Sequence, residues 1–169
     1  MKIIKILAPG ALAALAAALL FQTSSTQAHD QGQRDGDHRD AKATFTKWVT
    51  DFPNLPGEIA NMAGVVGGDV GPGVYTGEVL LYKPGPTPTS ISHFVAFYRF
   101  TGQNHSFTAL VNVLQTGSGP GTKAVITGVV TDGWLEGHAV KGEYTEGTCG
   151  TPSIPCFTGT LEIDRHPRN

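Results

Sequence analysis

Residues 93–115 read HFVAFYRFTGQNHSFTALVNVLQ, and this stretch decides the fold. Two runs rich in aromatic and β-branched residues flank the pair Gly102-Gln103, a pattern that predicts a β-hairpin with a two-residue turn. A turn at that pair places Phe100 opposite His105, and the same register gives three further cross-strand pairs: Tyr98 with Phe107, Ala96 with Ala109, and Phe94 with Val111. That face is almost wholly apolar, so we expect it to line the core.

The opposite face of the hairpin carries four large apolar side chains among its polar ones: Val95, Phe97, Leu110 and Leu114. A sheet with one face in water normally alternates between apolar and polar residues. We therefore expect a second sheet, a terminal segment or a loop to cover these side chains. The alternative is contact with another copy of the chain, because exposed apolar patches usually mark interfaces.

Turn signals recur along the rest of the chain between residues 43 and 164, and no long helical pattern occurs. They divide it into about eight short strands, one of them expected over Trp134–Glu146. This pattern predicts an all-β domain, either a single antiparallel β-barrel or a β-sandwich. Glycines inside the strands favour the barrel, since glycine in a strand marks bulges and sharp bends.

The N-terminus has the features of a secretory signal peptide over residues 1–28. A short basic start precedes an apolar run and small residues suited to cleavage near Ala28. The protein is then expected to be secreted or periplasmic. We expect the polar residues 29–42 to be a disordered segment and residues 165–169 to be a short tail.

Two cysteines, Cys149 and Cys156, are the only ones in the chain. In an exported protein such a close pair indicates a disulfide bond. A redox site would need the Cys-X-X-Cys spacing beside a helix start, and this spacing is absent.

Charge and motifs exclude several classes of function. The chain has 12 basic and 14 acidic residues, so it lacks the positive charge of a nucleic-acid-binding protein. The apolar run of the leader is short for a membrane span. No cofactor motif or metal-ligand spacing occurs, and we expect no cofactor and no metal. After cleavage His29 would offer an amine and an imidazole suited to copper, but a disordered segment does not hold them against a rigid surface, so we expect no copper site there.

Catalytic residues are not assigned by the sequence. An inward Tyr98 and His105 would give an apolar pocket a polar spot, and the predicted ligand-binding residues are Phe94, Tyr98, His105, Phe107 and Val111. The simpler interpretation is a hydrogen-bonded pair that completes the core. A second cluster is suited either to acid–base chemistry or to a solvated strand face: Asp132, Trp134, Glu136, His138 and Glu143.

The leading functional prediction is a barrel that binds an apolar or amphiphilic small molecule. One alternative is a structural protein, a homo-oligomer formed through the hairpin's outer face of Val95, Phe97, Leu110 and Leu114. A second is an isomerase or cyclase that uses His105. In architecture the chain resembles small exported barrels, including lipocalin-like and allene oxide cyclase-like domains. This resemblance implies a fold and assigns no catalytic residues.

Overall fold

The computed structural model describes residues 39–51, 59–117, 119–150 and 154–165. In these residues the chain forms eight antiparallel strands that close into one barrel, which confirms the predicted fold class. The strands are β1 (Ala41–Asp51), β2 (Ala60–Gly68), β3 (Gly73–Lys83), β4 (Ile91–Gly102), β5 (Ser106–Thr116), β6 (Lys123–Gly133), β7 (Ala139–Cys149) and β8 (Ile154–Ile163). The described ranges contain no helix that could cross a membrane. The predicted signal peptide, most of the predicted disordered segment and residues 166–169 lie outside them.

Each strand pairs with the next along the chain, and β1 also pairs with β8. Side chains in β1 alternate regularly: Ala41, Ala43 and Phe45 are buried, while Lys42 and Thr44 are exposed. This period of two is what a closed sheet requires, because each strand has one face toward the core and one toward solvent. Closure also satisfies the backbone groups that an edge strand would leave unpaired.

The central hairpin, β4 and β5, has the predicted faces but a different register. Phe100 pairs with Phe107, and Tyr98 pairs with Ala109. The predicted pairs are therefore wrong by two residues, which leaves every strand residue on its predicted face. Four residues lie beyond the last ladder pair, Thr101 and Ser106. The loop is longer than expected because the neighbouring β2–β3 turn binds it: the carbonyl of Val70 accepts hydrogen bonds from the backbone amides of Asn104 and His105, at 2.9 and 3.2 Å.

Glycines within the strands make room for large interior side chains. Gly159 lies between Phe45 and Tyr144 in the sheet, and Gly64 lies between Lys47 and Tyr75. A Cβ atom at Gly64 would lie 2.1 Å from the carbonyl oxygen of Thr46. The irregular steps in the described ladders fall elsewhere, at Val49/Asp51, Val79/Leu81 and Thr108/Ala109. The expectation that strand glycines mark bulges is thus wrong, although the barrel they favoured is correct.

The strand predicted over Trp134–Glu146 begins five residues later, at Ala139. Residues 134–137 form a turn, in which Leu135 has φ of 61° and Gly137 has φ of 82°. Left-handed backbone of this kind does not continue a strand. The solvated strand face considered for the second predicted cluster is therefore wrong for Trp134, Glu136 and His138, which lie outside the strands.

The disulfide between Cys149 and Cys156 is present, as predicted. The two residues lie in neighbouring strands with their Cα atoms 5.8 Å apart. The bond joins β7 to β8 beside the loop that connects them, and so fastens one end of the barrel next to the β1–β8 pairing.

The outer apolar face of Val95, Phe97, Leu110 and Leu114 lies on the outside of the barrel. The described part of the chain contains no second sheet to cover it. The patch continues onto β6, where Val125 pairs with Leu114 and Val129 pairs with Leu110. Leu114 is 50% exposed and Val125 is 58% exposed. The four predicted residues thus belong to a larger apolar surface.

Candidate functional site

The two ends of the barrel differ. The end formed by the β2–β3, β4–β5 and β6–β7 connections, here called the closed end, is filled by apolar side chains. Val70 is fully buried there, and Trp134 and Leu135 pack against the core. Phe100 and Phe107 stack with their ring centres 4.6 Å apart. The open space inside the barrel lies at the opposite end.

A cavity of about 250 Å³ lies at that opposite end, here called the cavity end. Its walls are mostly apolar, and its rim includes Val49 and Tyr82, which are 39% and 45% exposed. Eleven residues from seven strands or their ends line it: Lys47, Val49, Ile59, Ala60, Met62, Val79, Tyr82, Phe94, Gln115, Tyr144 and Phe157. The volume is slightly below the roughly 300–1,000 Å³ of drug-sized ligand sites, so the cavity suits a smaller molecule.

Lys47 is the unusual residue of this cavity, because a lysine is almost never fully buried without a charged partner. It is 1% exposed, and its Nζ donates a hydrogen bond to the hydroxyl of Tyr98. Within the described ranges no carboxylate forms an ion pair with it. The alternation of β1 explains its position, since Lys47 follows Ala41, Ala43 and Phe45 on the inward face.

Aromatic rings surround the amine of Lys47. Its Nζ lies 4.0 Å from the ring centre of Tyr98 and 4.6 Å from that of Tyr144. The rings of Phe45, Tyr75 and Phe94 lie between 5.5 and 5.9 Å away. Such rings stabilise an ammonium, but they replace only part of the hydration that burial removes. Burial therefore lowers the pKa of Lys47 well below its ordinary value.

A second polar group sits in the cavity wall. The hydroxyl of Tyr144 donates a hydrogen bond to Gln115 Oε1 at 2.6 Å, and Gln115 Nε2 donates to the carbonyl of Gly117 at 3.4 Å. Burial raises the pKa of the Tyr144 hydroxyl. The cavity therefore offers one amine and one amide–phenol pair in an otherwise apolar wall, an arrangement that orients a ligand with a polar end.

The predicted ligand-binding residues are divided between three places. Phe94 lines the cavity, and Tyr98 lies beneath it as the partner of Lys47. Phe107 and Val111 are buried in the core. His105 lies in the β4–β5 loop at the closed end, where its ring stacks on Trp134 with the centres 4.0 Å apart. The expected inward pair of Tyr98 and His105 is wrong, because the longer loop removes His105 from the ladder.

The second predicted cluster is not brought together. Glu143 is an exposed residue of β7. His138 is engaged elsewhere, since its Nδ1 hydrogen-bonds the backbone carbonyl of Asp164 at 2.5 Å. Among the described residues no three potential metal ligands cluster. His29 lies outside these residues.

Sequence reasoning missed Lys47, Gln115 and Tyr144. The signal for Lys47 was its even spacing from Ala41, Ala43 and Phe45, which places it on the apolar face of β1. Gln115 lies near the end of β5 in the central hairpin, where a polar residue is common. No feature of the sequence distinguishes it.

Two buried tyrosines should respond in opposite ways to loss of the hydroxyl. The Tyr75 hydroxyl forms no hydrogen bond of good geometry among the described residues and has only a weak contact with the Tyr98 hydroxyl, so Tyr75→Phe should raise the free energy of unfolding by about 1 kcal/mol. Tyr98→Phe removes the hydrogen-bond partner of the buried Lys47 amine and should lower the free energy of unfolding by about 1–3 kcal/mol. Urea unfolding of both variants measures the difference. Equal effects of the two substitutions would contradict the assignment.

Comparison with known proteins adds no family. No protein-family model, curated protein or solved structure matches the chain.

Proposed function

We propose that the barrel binds a small apolar or amphiphilic molecule in the cavity at its cavity end. The observation that carries the proposal is the cavity itself, about 250 Å³ of mostly apolar space with a few convergent polar groups. The apolar part of the ligand packs against Ile59, Met62 and Val79. Its polar end lies near Lys47 or the pair of Gln115 and Tyr144.

Aromatic packing beneath the cavity supports the proposal that a small molecule binds there. The ring of Tyr75 makes edge-to-face contacts with the rings of Tyr98 and Phe100, with ring centres 5.3 and 5.5 Å apart. This packing fixes the floor beneath Lys47 independently of any ligand. A preformed floor reduces the ordering that binding requires, which favours affinity for a small molecule.

Filling the cavity should weaken binding. Ala60→Leu adds three carbon atoms to the cavity wall, and we expect it to weaken binding of 1-octanol by at least about tenfold, since a single methylene changes binding by that order. Isothermal titration calorimetry of wild type and variant measures the change. Native mass spectrometry of the protein purified from its own cells would identify a retained ligand.

The matched control is Ala63→Leu, the same substitution three residues along β2. Ala63 has the outward parity of that strand and does not line the cavity. The Ala63→Leu variant should bind octanol as tightly as the wild type. A wild-type protein that does not bind octanol, or equal loss in both variants, would refute the proposal.

Self-association is a second candidate, favoured by the continuity of the outer apolar face with exposed Val125. Leu110→Asp should convert a wild-type dimer or larger species to a monomer in size-exclusion chromatography, because an interfacial charge must be desolvated. Thr44→Asp is the control, since Thr44 is exposed on β1, four strands from β5 around the ring. A monomeric wild type at high concentration would exclude this role.

A further inference from the structure

The amine of Lys47 combines three features that set it apart from every other described lysine. It is buried, it faces a cavity, and it has a phenol rather than a carboxylate as its hydrogen-bond partner. Lys42, Lys83, Lys123 and Lys141 are all exposed. A lysine in an apolar pocket is activated as a nucleophile, because desolvation disfavours its protonated form.

The surroundings of the amine favour this neutral form. The titratable groups that face it are the hydroxyl-bearing rings of Tyr75 on β3, Tyr98 on β4 and Tyr144 on β7. Burial raises the pKa of all three, so they remain uncharged near neutral pH. One carboxylate lies farther along the same inner face: Glu146 of β7 pairs with Phe157, as Lys47 does, but it is only partly buried and forms no ion pair with the amine. Within the described residues no carboxylate therefore holds the proton of Lys47 by direct contact.

We propose that Lys47 captures an aldehyde or ketone that enters the cavity, and holds it as an imine. The inference rests on the proposed function and names the class of ligand: a small apolar carbonyl compound. A carbonyl group is the polar end that matches a neutral amine, whereas a carboxylate would need an ammonium.

The step needs no oxidant and no cofactor. The Nζ lone pair attacks the carbonyl carbon, a C–N bond forms, and the carbonyl π electrons move to oxygen. A proton passes from nitrogen to that oxygen and gives a carbinolamine. The oxygen then receives the remaining proton of the nitrogen and leaves as water as the nitrogen lone pair forms the C=N bond, which gives the neutral imine. The Tyr98 hydroxyl, hydrogen-bonded to Nζ, lies where it can relay these protons, and hydrolysis reverses the sequence.

Reductive trapping with octanal and cyanoborohydride tests the inference. The reduced adduct adds the mass of octanal less one oxygen atom, and peptide mass spectrometry locates it. Near pH 7 we expect Lys47 to be labelled at least about tenfold faster than each exposed lysine, because an ordinary lysine is almost wholly protonated there. Lowering the pH from about 9 to 7 should slow labelling of Lys47 less than that of the exposed lysines.

Two variants and one competitor complete the experiment. Lys47→Met should remove the fast-labelled site, while Lys42→Met, the same change on the outer face of β1, should leave it. Excess 1-octanol should protect Lys47 from octanal. Labelling confined to exposed lysines in a wild-type protein that still binds octanol would overturn the imine and leave the binding proposal standing. Absence of both octanol binding and fast labelling would overturn both.

Discussion

The free energy of unfolding of the wild-type protein should rise with pH relative to that of Lys47→Met, by up to about 1.4 kcal/mol per pH unit. Burial lowers the pKa of Lys47 in the folded state, whereas the unfolded chain has the ordinary value of 10.5. Between these two pKa values the unfolded state binds a proton that the folded state does not. The contribution of Lys47 to the free energy of unfolding is therefore fully present above pH 10.5 and is lost as the pH falls toward the lowered pKa.

Urea unfolding of the two proteins from about pH 7 to about pH 10 measures this difference. The comparison with Lys47→Met is necessary because the buried tyrosines also titrate. Burial raises the pKa of Tyr75, Tyr98 and Tyr144, so their contribution is lost as pH rises above about 10, and it is common to both proteins. Parallel pH profiles for wild type and variant would show that the amine keeps its proton in the folded barrel.

Gly159→Ala should lower the free energy of unfolding by about 3 kcal/mol or more, at the upper end of the usual cost of overpacking. A Cβ atom at this position would lie 2.2 Å from the carbonyl oxygen of Glu143 and 2.8 Å from Cζ of Phe45. The first contact is with backbone and cannot be relieved by a rotamer change. A loss of this size is a large part of the total stability of an ordinary domain.

Gly147→Ala is the matched control, because Gly147 lies in β7 and no atom beyond its chain neighbours lies within 4 Å of the added Cβ. Its backbone is not in the left-handed region, so alanine should be neutral or slightly stabilising. Thermal unfolding of the two variants shows whether the loss of stability comes from crowding at Gly159 or from replacing any strand glycine with alanine. Similar melting temperatures would refute the role assigned to Gly159.

The hairpin shows how far sequence reasoning reached. Alternation determined which side chains of β4 and β5 face inward, because the period of two is a property of each strand alone. The pairing between the strands depended on the length of the loop. The Gly102-Gln103 pair predicted a two-residue turn, whereas four residues lie beyond the last ladder pair. The cause was non-local: the backbone amides of Asn104 and His105 donate hydrogen bonds to the carbonyl of Val70 in another turn, which holds these two residues in the loop.

The candidate site was predicted less well than the fold. Phe94 was identified because aromatic residues on an inward strand face are expected in a pocket wall. Lys47 was missed because a lysine among threonines in β1 is usually solvated, although its parity with Phe45 placed it inside. Its significance depends on the rings of Tyr98 and Tyr144, which are distant in sequence and meet only when the sheet closes.

The ladder between β1 and β8 determines when the cavity can exist during synthesis. Ala43 pairs with Leu161, so the ring is complete only after nearly all of the described chain is available. A chain that stops before Ile154 would leave β1 and β7 as unpaired edges, which recruit strands from other molecules. Closing a loop of such length is also entropically slow. A nascent chain therefore forms its cavity in one late event, and loss of the last strand would turn a closed barrel into a template for aggregation.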